Sequence, residues 1–438
     1  MPSLPDLPYE VIMMIVEYLQ LDSNWTQLRF YEIGIAYQKA FEQNQPRRTK
    51  DLHSLLLTSS RLYKFLKPML YQNLFVRDYN RHGEKAPLKQ LKWSLENRLG
   101  LSELVNSAII PCGTSGNNRS IFEIYTAFWL PNLSTLTIFE FKDWKPMVFD
   151  DNSHVGTSPV QCLRLIECGA HEEALAAVLS WPDSLKVLQY DADQFEWEGH
   201  YEGEQVNGWT CEAFVRMIRS QKESLEELIM TRPPLDHEGL GNGSRIDLSE
   251  FTALKTLRIY HVFLCGWDDP EGVSRCLPPN LEVLEVFYDD TDLTQFFWED
   301  DEQPYDTFIL DVIRNKTLRL PRLHTVKIYS PEWLGDRELE ETGQTGSSEW
   351  SLPGPLAAEA KEAGINMRVW IGQDVWFRID GLDDVDLFRS LELSQSGLPN
   401  QPAPGSTAEA SHSPPGNASR ADAREQRRFF GSYAELQL

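Results

Sequence analysis

The residues in this chain that could attack a bond, ligate a metal or shuttle a proton are scattered. Gly113-Thr-Ser-Gly116 sets a serine among glycines but lacks the spacing of a nucleophile elbow, and no phosphate-cradling glycine loop, H-E-x-x-H or paired zinc-ligand spacing occurs. The carboxylates Asp380, Asp383, Asp384 and Asp386 lack the ligand order of a calcium loop. His261 and His324 sit beside strand-like stretches, where packed or surface roles are expected of them. The cysteines Cys112, Cys162, Cys168, Cys211, Cys265 and Cys276 are spread over 438 residues, so reduced, mostly buried thiols are expected rather than a disulfide frame or zinc site. With no constellation to assemble, the expectation is a binding protein with no catalytic residues, no cofactor and no metal. A hydrolase with a dispersed triad is the competing reading, which activity screening would test.

The elements that could position a binding surface are easier to read. A hydrophobic content of 41% with 11% aromatics supports a large core. The formal charge of −25 is unevenly shared: residues 1–98 carry 14 Lys/Arg against 10 Asp/Glu, a net of +4, so the remainder carries −29. An acidic body of that size argues against nucleic acid and against anionic membrane surfaces as partners. The opening Met1-Pro-Ser-Leu-Pro-Asp-Leu-Pro has no basic region leading into an apolar one, and no stretch approaches bilayer length. A soluble, non-secreted protein of the cytoplasm and/or nucleus is therefore expected.

From Leu4 to Leu21 the chain begins with prolines and then places Val11, Ile12, Ile15, Val16 and Leu19 at helical spacing, with Pro8 suited to the first turn and Glu10 to the positive end of the dipole. Asp51 could cap a second helix with apolar positions Leu52, Leu55, Leu56, Leu62, Phe65 and Leu66, running to Pro68. Leu70-Tyr-Gln-Asn-Leu-Phe-Val76 alternates enough for a first strand. Leu7-Pro8-x-Glu10-Val11 with Ile15 and Leu19, then Asp51-Leu52 with Leu55, Ser59, Arg61 and Leu62, ending at Leu70-Tyr71, resembles an F-box. That resemblance implies a substrate-recognising subunit of a cullin-RING (SCF) ubiquitin ligase, docking on a Skp-type adaptor and through it on cullin. It also implies adaptor contacts by Leu7, Pro8, Val11, Ile15, Leu19, Leu52, Leu55 and Arg61. Residues 1–78 form the F-box domain on this reading, departing from the compact pattern by an insertion at about 22–50 that carries its own amphipathic stretch from Trp25 to Phe41.

From about residue 98 to 372, Leu-x-x-Leu-x-apolar recurs, the pattern in which alternate strand residues enter a shared core. Its copies are Leu101-x-x-Leu104, Leu133-x-x-Leu136-x-Ile138, Val160-x-x-Leu163-x-Leu165, Leu185-x-x-Leu188-x-Tyr190, Leu225-x-x-Leu228-x-Met230, Leu254-x-x-Leu257-x-Ile259, Leu281-x-x-Leu284-x-Val286 and Leu323-x-x-Val326-x-Ile328. A degenerate ninth strand is expected at Met367–Ile371, and helices at Ile121–Trp129, Glu172–Trp181, Cys211–Gln221, Thr307–Asn315 and Leu356–Ala363. The fold class is therefore α/β: an N-terminal helical F-box, an irregular leucine-rich-repeat solenoid with parallel strands, an extension at 373–393 and a disordered tail at 394–438 that is rich in Ser, Pro and Gly. A non-catalytic leucine-rich scaffold acting outside ubiquitination is the alternative to the ligase reading.

Two features bear on a protein client. The residue after each last core position makes a column, Phe139, Ile166, Asp191, Thr231, Tyr260, Phe287 and Tyr329, in which Phe139, Tyr260, Phe287 and Tyr329 either stand exposed as client-binding rings or are covered by loops or the C-terminal segment as part of the core. Residues 265–306 hold 13 Asp/Glu, among them Asp289, Asp290, Asp292, Glu299, Asp300, Asp301 and Glu302, against Arg275 as the single base, an acidic belt that would suit a basic client.

Overall fold

The computed structural model describes residues 59–75, 100–111, 127–139, 141, 154–170, 172–192, 210–231, 245–266, 272–288, 307–330, 348–350, 352 and 354–371. The first half of the F-box segment, the insertion and the tail at 394–438 lie outside these residues. What is described is an α/β assembly built on one sheet. Its strands are β1 (Asn73–Phe75), β2 (Ser107–Pro111), β3 (Thr135–Phe139), β4 (Cys162–Cys168), β5 (Val187–Ala192), β6 (Glu227–Thr231), β7 (Thr256–Tyr260), β8 (Val283–Phe287), β9 (Thr325–Ser330), β10 (Ser348–Trp350) and β11 (Asn366–Ile371). Ten of them, β1 to β9 and then β11, run parallel and lie side by side in chain order; β10 pairs antiparallel with β11 and forms the far edge.

The Leu-x-x-Leu-x-apolar spacing explains that order. The first residue of each triplet (Leu133, Val160, Leu185, Leu225, Leu254, Leu281, Leu323) is fully buried in the turn before its strand, and the other two enter the same core from alternate strand positions. Register then repeats from pair to pair: Leu136, Leu163, Leu188, Leu228, Leu257, Leu284, Val326 and Met367 lie in one row. The residue just before each of β3 to β9 donates its amide to the equivalent carbonyl before the preceding strand, from Ser134 to Asn106 through to His324 and Glu282, at 2.7–3.0 Å, and Asn366, the first residue of β11, donates to the His324 carbonyl at 2.8 Å. Side chains reinforce the turns across neighbouring units. The Asn132 amide donates to the Glu103 carbonyl at 2.6 Å, and buried Gln221 accepts from the Leu185 amide while donating to the Pro182 carbonyl.

Helices fill the connections: α1 (Ser60–Gln72), α2 (Glu172–Ser180), α3 (Cys211–Ile218), α4 (His261–Cys265), α5 (Val273–Cys276), α6 (Thr307–Arg319) and α7 (Gly354–Glu362). Neighbouring helices pack on one another, α2 on α3, α5 on α6 and α6 on α7. Thr210 caps α3 by accepting from the Ala213 amide at 3.1 Å, and a 3-10 turn at Arg219–Gln221 continues it. After α7, Gly364 takes φ +70°. That lets its own amide and that of Ile365 close back on the Lys361 and Ala360 carbonyls, so the chain reverses directly into β11.

Several expectations need correcting. The first core triplet is Val105, Ala108 and Ile110, not Leu101-x-x-Leu104: Ser102–Leu104 is a 3-10 turn, and it is Ala108 and Ile110 that share the rows of Leu136 and Ile138. Small and β-branched residues replace leucine there, which hides the copy. Strand β1 spans only Asn73–Phe75, because α1 runs past Pro68 to Gln72; Leu62, Phe65, Leu66, Met69 and Leu70 keep helical spacing throughout, and exposed Pro68 leaves the Lys64 carbonyl to solvent. The helices expected at 172–181, 211–221, 307–315 and 356–363 are present with small shifts of boundary. Of Ile121–Trp129 only residues 127–129 are described, and Ala127 and Phe128 are helical.

Candidate functional site

Strand residues that do not enter the core face away from it, and their chemistry changes along the sheet. The third position of the strands reads Arg164, Gln189, Ile229, Arg258, Glu285, Lys327 and Arg368 in consecutive register. With the first-position residues Glu227, Thr256, Val283, Thr325 and Asn366, the last four line an open groove of about 500 Å³ across β6, β7, β8, β9 and β11. Glu285 is its central anion. Its side chain is only 4% exposed, with the Lys327 ammonium 3.0 Å from one carboxylate oxygen and Arg258 Nε 3.4 Å from the other. Arg258 Nε also lies 3.6 Å from Glu227, so charges alternate across four adjacent strands. The Arg258 and Lys327 side chains keep 25% and 32% of their surface, and Arg368 beyond them is exposed. The groove therefore presents N–H donors to whatever enters it.

Of the two readings of the row at the fifth position, exposed or covered, the structure has the covered one for Tyr260, Phe287 and Tyr329. Tyr260, Phe287 and Tyr329 are 4%, 1% and 3% exposed, and Ile166 and Asp191 are buried as well. The rings cover one another: Phe287 lies 5.1 Å from Tyr329 and nearly parallel to it, Tyr260 tilts onto Phe287 at 5.9 Å, and Trp370 stacks on Tyr329 at 4.9 Å. Strands spaced at about 4.8 Å place successive aromatic side chains at stacking distance, so a row of rings in register seals itself. The Phe139 side chain lies outside the described residues. Half-buried Trp370 ends the stack and was missed, although the alternation of Met367-Arg-Val-Trp-Ile371 puts it in register with Tyr329.

Among the described residues that line the groove there is no cysteine, serine or histidine. Cys162, Cys168, Cys211, Cys265 and Cys276 carry free thiols. Burial pushes the Cys211 thiol up to about 12, and burial raises Cys162 and Cys276 against the opposing pull of Arg164 and Arg245 respectively. Such thiols are not thiolates at neutral pH. His261 is packed, stacking on Tyr288 at 4.4 Å and against Phe308, while His324 is exposed with Nδ1 2.9 Å from the Thr325 hydroxyl. Among the described residues no group of three or more His, Cys, Asp and Glu could hold a metal ion, and no helix is long and apolar enough to cross a membrane.

The adaptor-facing residues Leu7, Pro8, Val11, Ile15, Leu19, Leu52 and Leu55 lie outside the described residues. Arg61 is placed in α1 by its backbone alone, next to Leu62, which is buried at 1% exposure. Outside them too are the acidic run from Asp289 to Glu302, Gly113–Gly116 and the aspartates from Asp380 to Asp386. A scan against protein-family models, a search of curated proteins and a search of solved structures each find no match to the chain.

Proposed function

We propose that this chain is the substrate-recognition subunit of an SCF-type ubiquitin ligase, binding a Skp-type adaptor through an F-box at its N-terminus and a protein client through its sheet. The finer fold belongs to the same reading: the parallel sheet is an irregular leucine-rich-repeat solenoid. The observation that carries it is the coincidence of two independent features. The Leu7-Pro8 to Leu19 and Asp51 to Tyr71 segments resemble an F-box, and immediately after them ten parallel strands follow in chain order, with Leu-x-x-Leu-x-apolar triplets turned inward. Units that bury their apolar faces only on their neighbours stack this way.

Catalysis on this reading resides in the partner proteins, and the chain works in the cytoplasm or nucleus. The test is co-purification of the full chain with a Skp-type adaptor. The complex is expected to form and to be lost on Leu7→Ala combined with Ile15→Ala, with the circular dichroism of the chain unchanged. Failure of the wild-type chain to retain the adaptor overturns the reading and leaves a leucine-rich scaffold acting outside ubiquitination.

A further inference from the structure

The turns leading into β7, β8, β9 and β11 lie side by side, tied by the amides of Glu282, His324 and Asn366, which donate to the Lys255, Glu282 and His324 carbonyls. Cations gather along this edge. Lys316 and Arg319 end α6, Arg322 stands in the turn before β9, and Lys361 ends α7. Because α6 packs on α7, Lys316 Nζ comes within 3.9 Å of the point a Cβ on Gly364 would occupy, over the turn that follows Lys361. Arg322 bears on the strip from the other side, opposing the Glu226 carboxylate, whose hydrogen bond raises the Lys255 pKa.

Among the described residues none of Lys316, Arg319, Arg322 and Lys361 pairs with a carboxylate. Carboxylates of the same helices and turns are engaged elsewhere: Glu226 with Lys186 and Lys255, Glu359 with Arg314, and Asp311 with the Ser274 amide and Asn315. Glu282 and Glu362 are left against four cations, on a chain whose net charge is −25. Between Lys316 and Arg319 stands Leu318, 79% exposed, against 49% for Tyr63 and 50% for Val155. A cation at a helix C-terminus complements the dipole, which accounts for Lys316, Arg319 and Lys361 singly. It accounts neither for Arg322, which lies beyond the helix, nor for a leucine left in water among them.

We propose that this edge is a docking surface for a short acidic segment of a partner protein, which brings one apolar side chain to Leu318. The inference does not depend on the ligase reading. Carboxylates match guanidinium and ammonium donors, and an apolar contact inside a charged rim is how small protein interfaces are built. From the turn at Lys255 to that at Lys361 the edge crosses three strand spacings, about 14 Å, which about four extended residues span. A nucleic acid or an anionic bilayer extends past such a strip onto a body whose charge repels it.

Fluorescence anisotropy on the full chain tests this with a fluorescein-labelled peptide of about eight residues, Glu around a central Leu. The peptide is expected to bind, to weaken as salt rises, and to lose about tenfold in affinity on Arg319→Glu with Arg322→Glu. Lys64→Glu with Lys67→Glu, on α1 at the other end of the sheet, changes the net charge equally and should leave binding unchanged. Leu318→Ser, and separately Gln in place of the peptide's Leu, should each weaken binding about threefold. The urea midpoint of Leu318→Ser should stay in place, because that side chain is already in water. Absence of binding, equal losses in the two double variants, or equal binding of a Lys-for-Glu peptide, a single-stranded oligonucleotide or anionic vesicles overturns the proposal. So does self-association that Arg319→Glu with Arg322→Glu abolishes, which would make a second copy of the chain the occupant.

Discussion

Strands β2 to β6 and strands β7, β8, β9 and β11 turn the same kind of residue inward and different kinds outward. Inward, Ala108, Leu136, Leu163, Leu188 and Leu228 continue without a break into Leu257, Leu284, Val326 and Met367, and all are buried. Outward, the early strands show Ile109, Thr137, Arg164, Gln189 and Ile229 at the third position, with Ile166 and Asp191 among their fifth. The later strands show the charge ladder from Arg258 to Arg368 and the ring stack from Tyr260 to Trp370. A common inner face holds the sheet together along its whole length. The outer face, free of that constraint, differs in chemistry between the two stretches.

The ring stack offers the largest way to break that contrast. Phe287→Ala removes a ring that is 1% exposed and strips Tyr260 and Tyr329 of their neighbour, so a loss of about 4 kcal/mol is expected in urea unfolding. Leu163→Ala and Leu284→Ala, both at 0% exposure on the shared inner face, should each cost about 3 kcal/mol and differ little from one another. If Leu284→Ala proved far more damaging than Leu163→Ala, the inner face would not be equivalent along the sheet. The contrast between the two stretches would then be one of packing rather than of outer chemistry.

Much of the inner face was legible in the sequence, and the outer face far less so. Leucine at fixed spacing is a pattern that burial imposes on every unit, so seven of the copies read from sequence match buried strand positions, and four of the expected helices lie where their apolar residues suggested. The copy at Val105, Ala108 and Ile110 escaped because its side chains fill the same space without leucine. The short helices at His261–Cys265 and Val273–Cys276 are too brief to show a helical period. For the outer residues, sequence gives position but not exposure. Tyr260, Phe287 and Tyr329 were placed in the correct row, exposed or covered; rings in adjacent strands close on each other, which becomes visible only once register is known. The groove cations were overlooked for the same reason: Arg258 and Lys327 lie 69 residues apart in sequence and Lys327 and Arg368 lie 41 apart, and β9 and β11 are neighbours only because β10 stands outside β11.

The ladder's central carboxylate gives a smaller test. Glu285→Gln keeps the shape of the side chain and removes the charge between Arg258 and Lys327, leaving two cations close together over a nearly buried amide. Because both partners retain solvent contact, the loss should be about 2 kcal/mol rather than the larger cost of a fully buried pair. Gln189 occupies the same row in the earlier stretch and is itself 2% exposed, so an uncharged amide is tolerated there. Neutral or stabilising behaviour of Glu285→Gln would mean that the ladder shapes the groove's charge without holding its strands.

The smallest effect is expected where the two stretches join. Glu226, just before β6, accepts from Lys186, just before β5, and from Lys255, just before β7, each at 2.7 Å, so one carboxylate ties the early units to the late ones. Hydrogen bonds from Lys186 and then Lys255 hold its pKa down at about 2, below the ordinary value of about 4.3 for a glutamate. A carboxyl whose pKa is lowered by folding stabilises the folded state fully above its unfolded value, and that contribution fades as pH falls toward 2. The Glu226 side chain is 38% exposed and its partners 42% and 46%, so solvent screening should limit the stabilisation to under about 1 kcal/mol. Glu226→Gln should therefore cost that little at pH 7, less in high salt, and progressively less as pH falls through about 2 in paired urea titrations. A difference that fell with neither pH nor salt would come from packing of the side-chain stem, and the ion pairs would no longer count as the link between the two stretches.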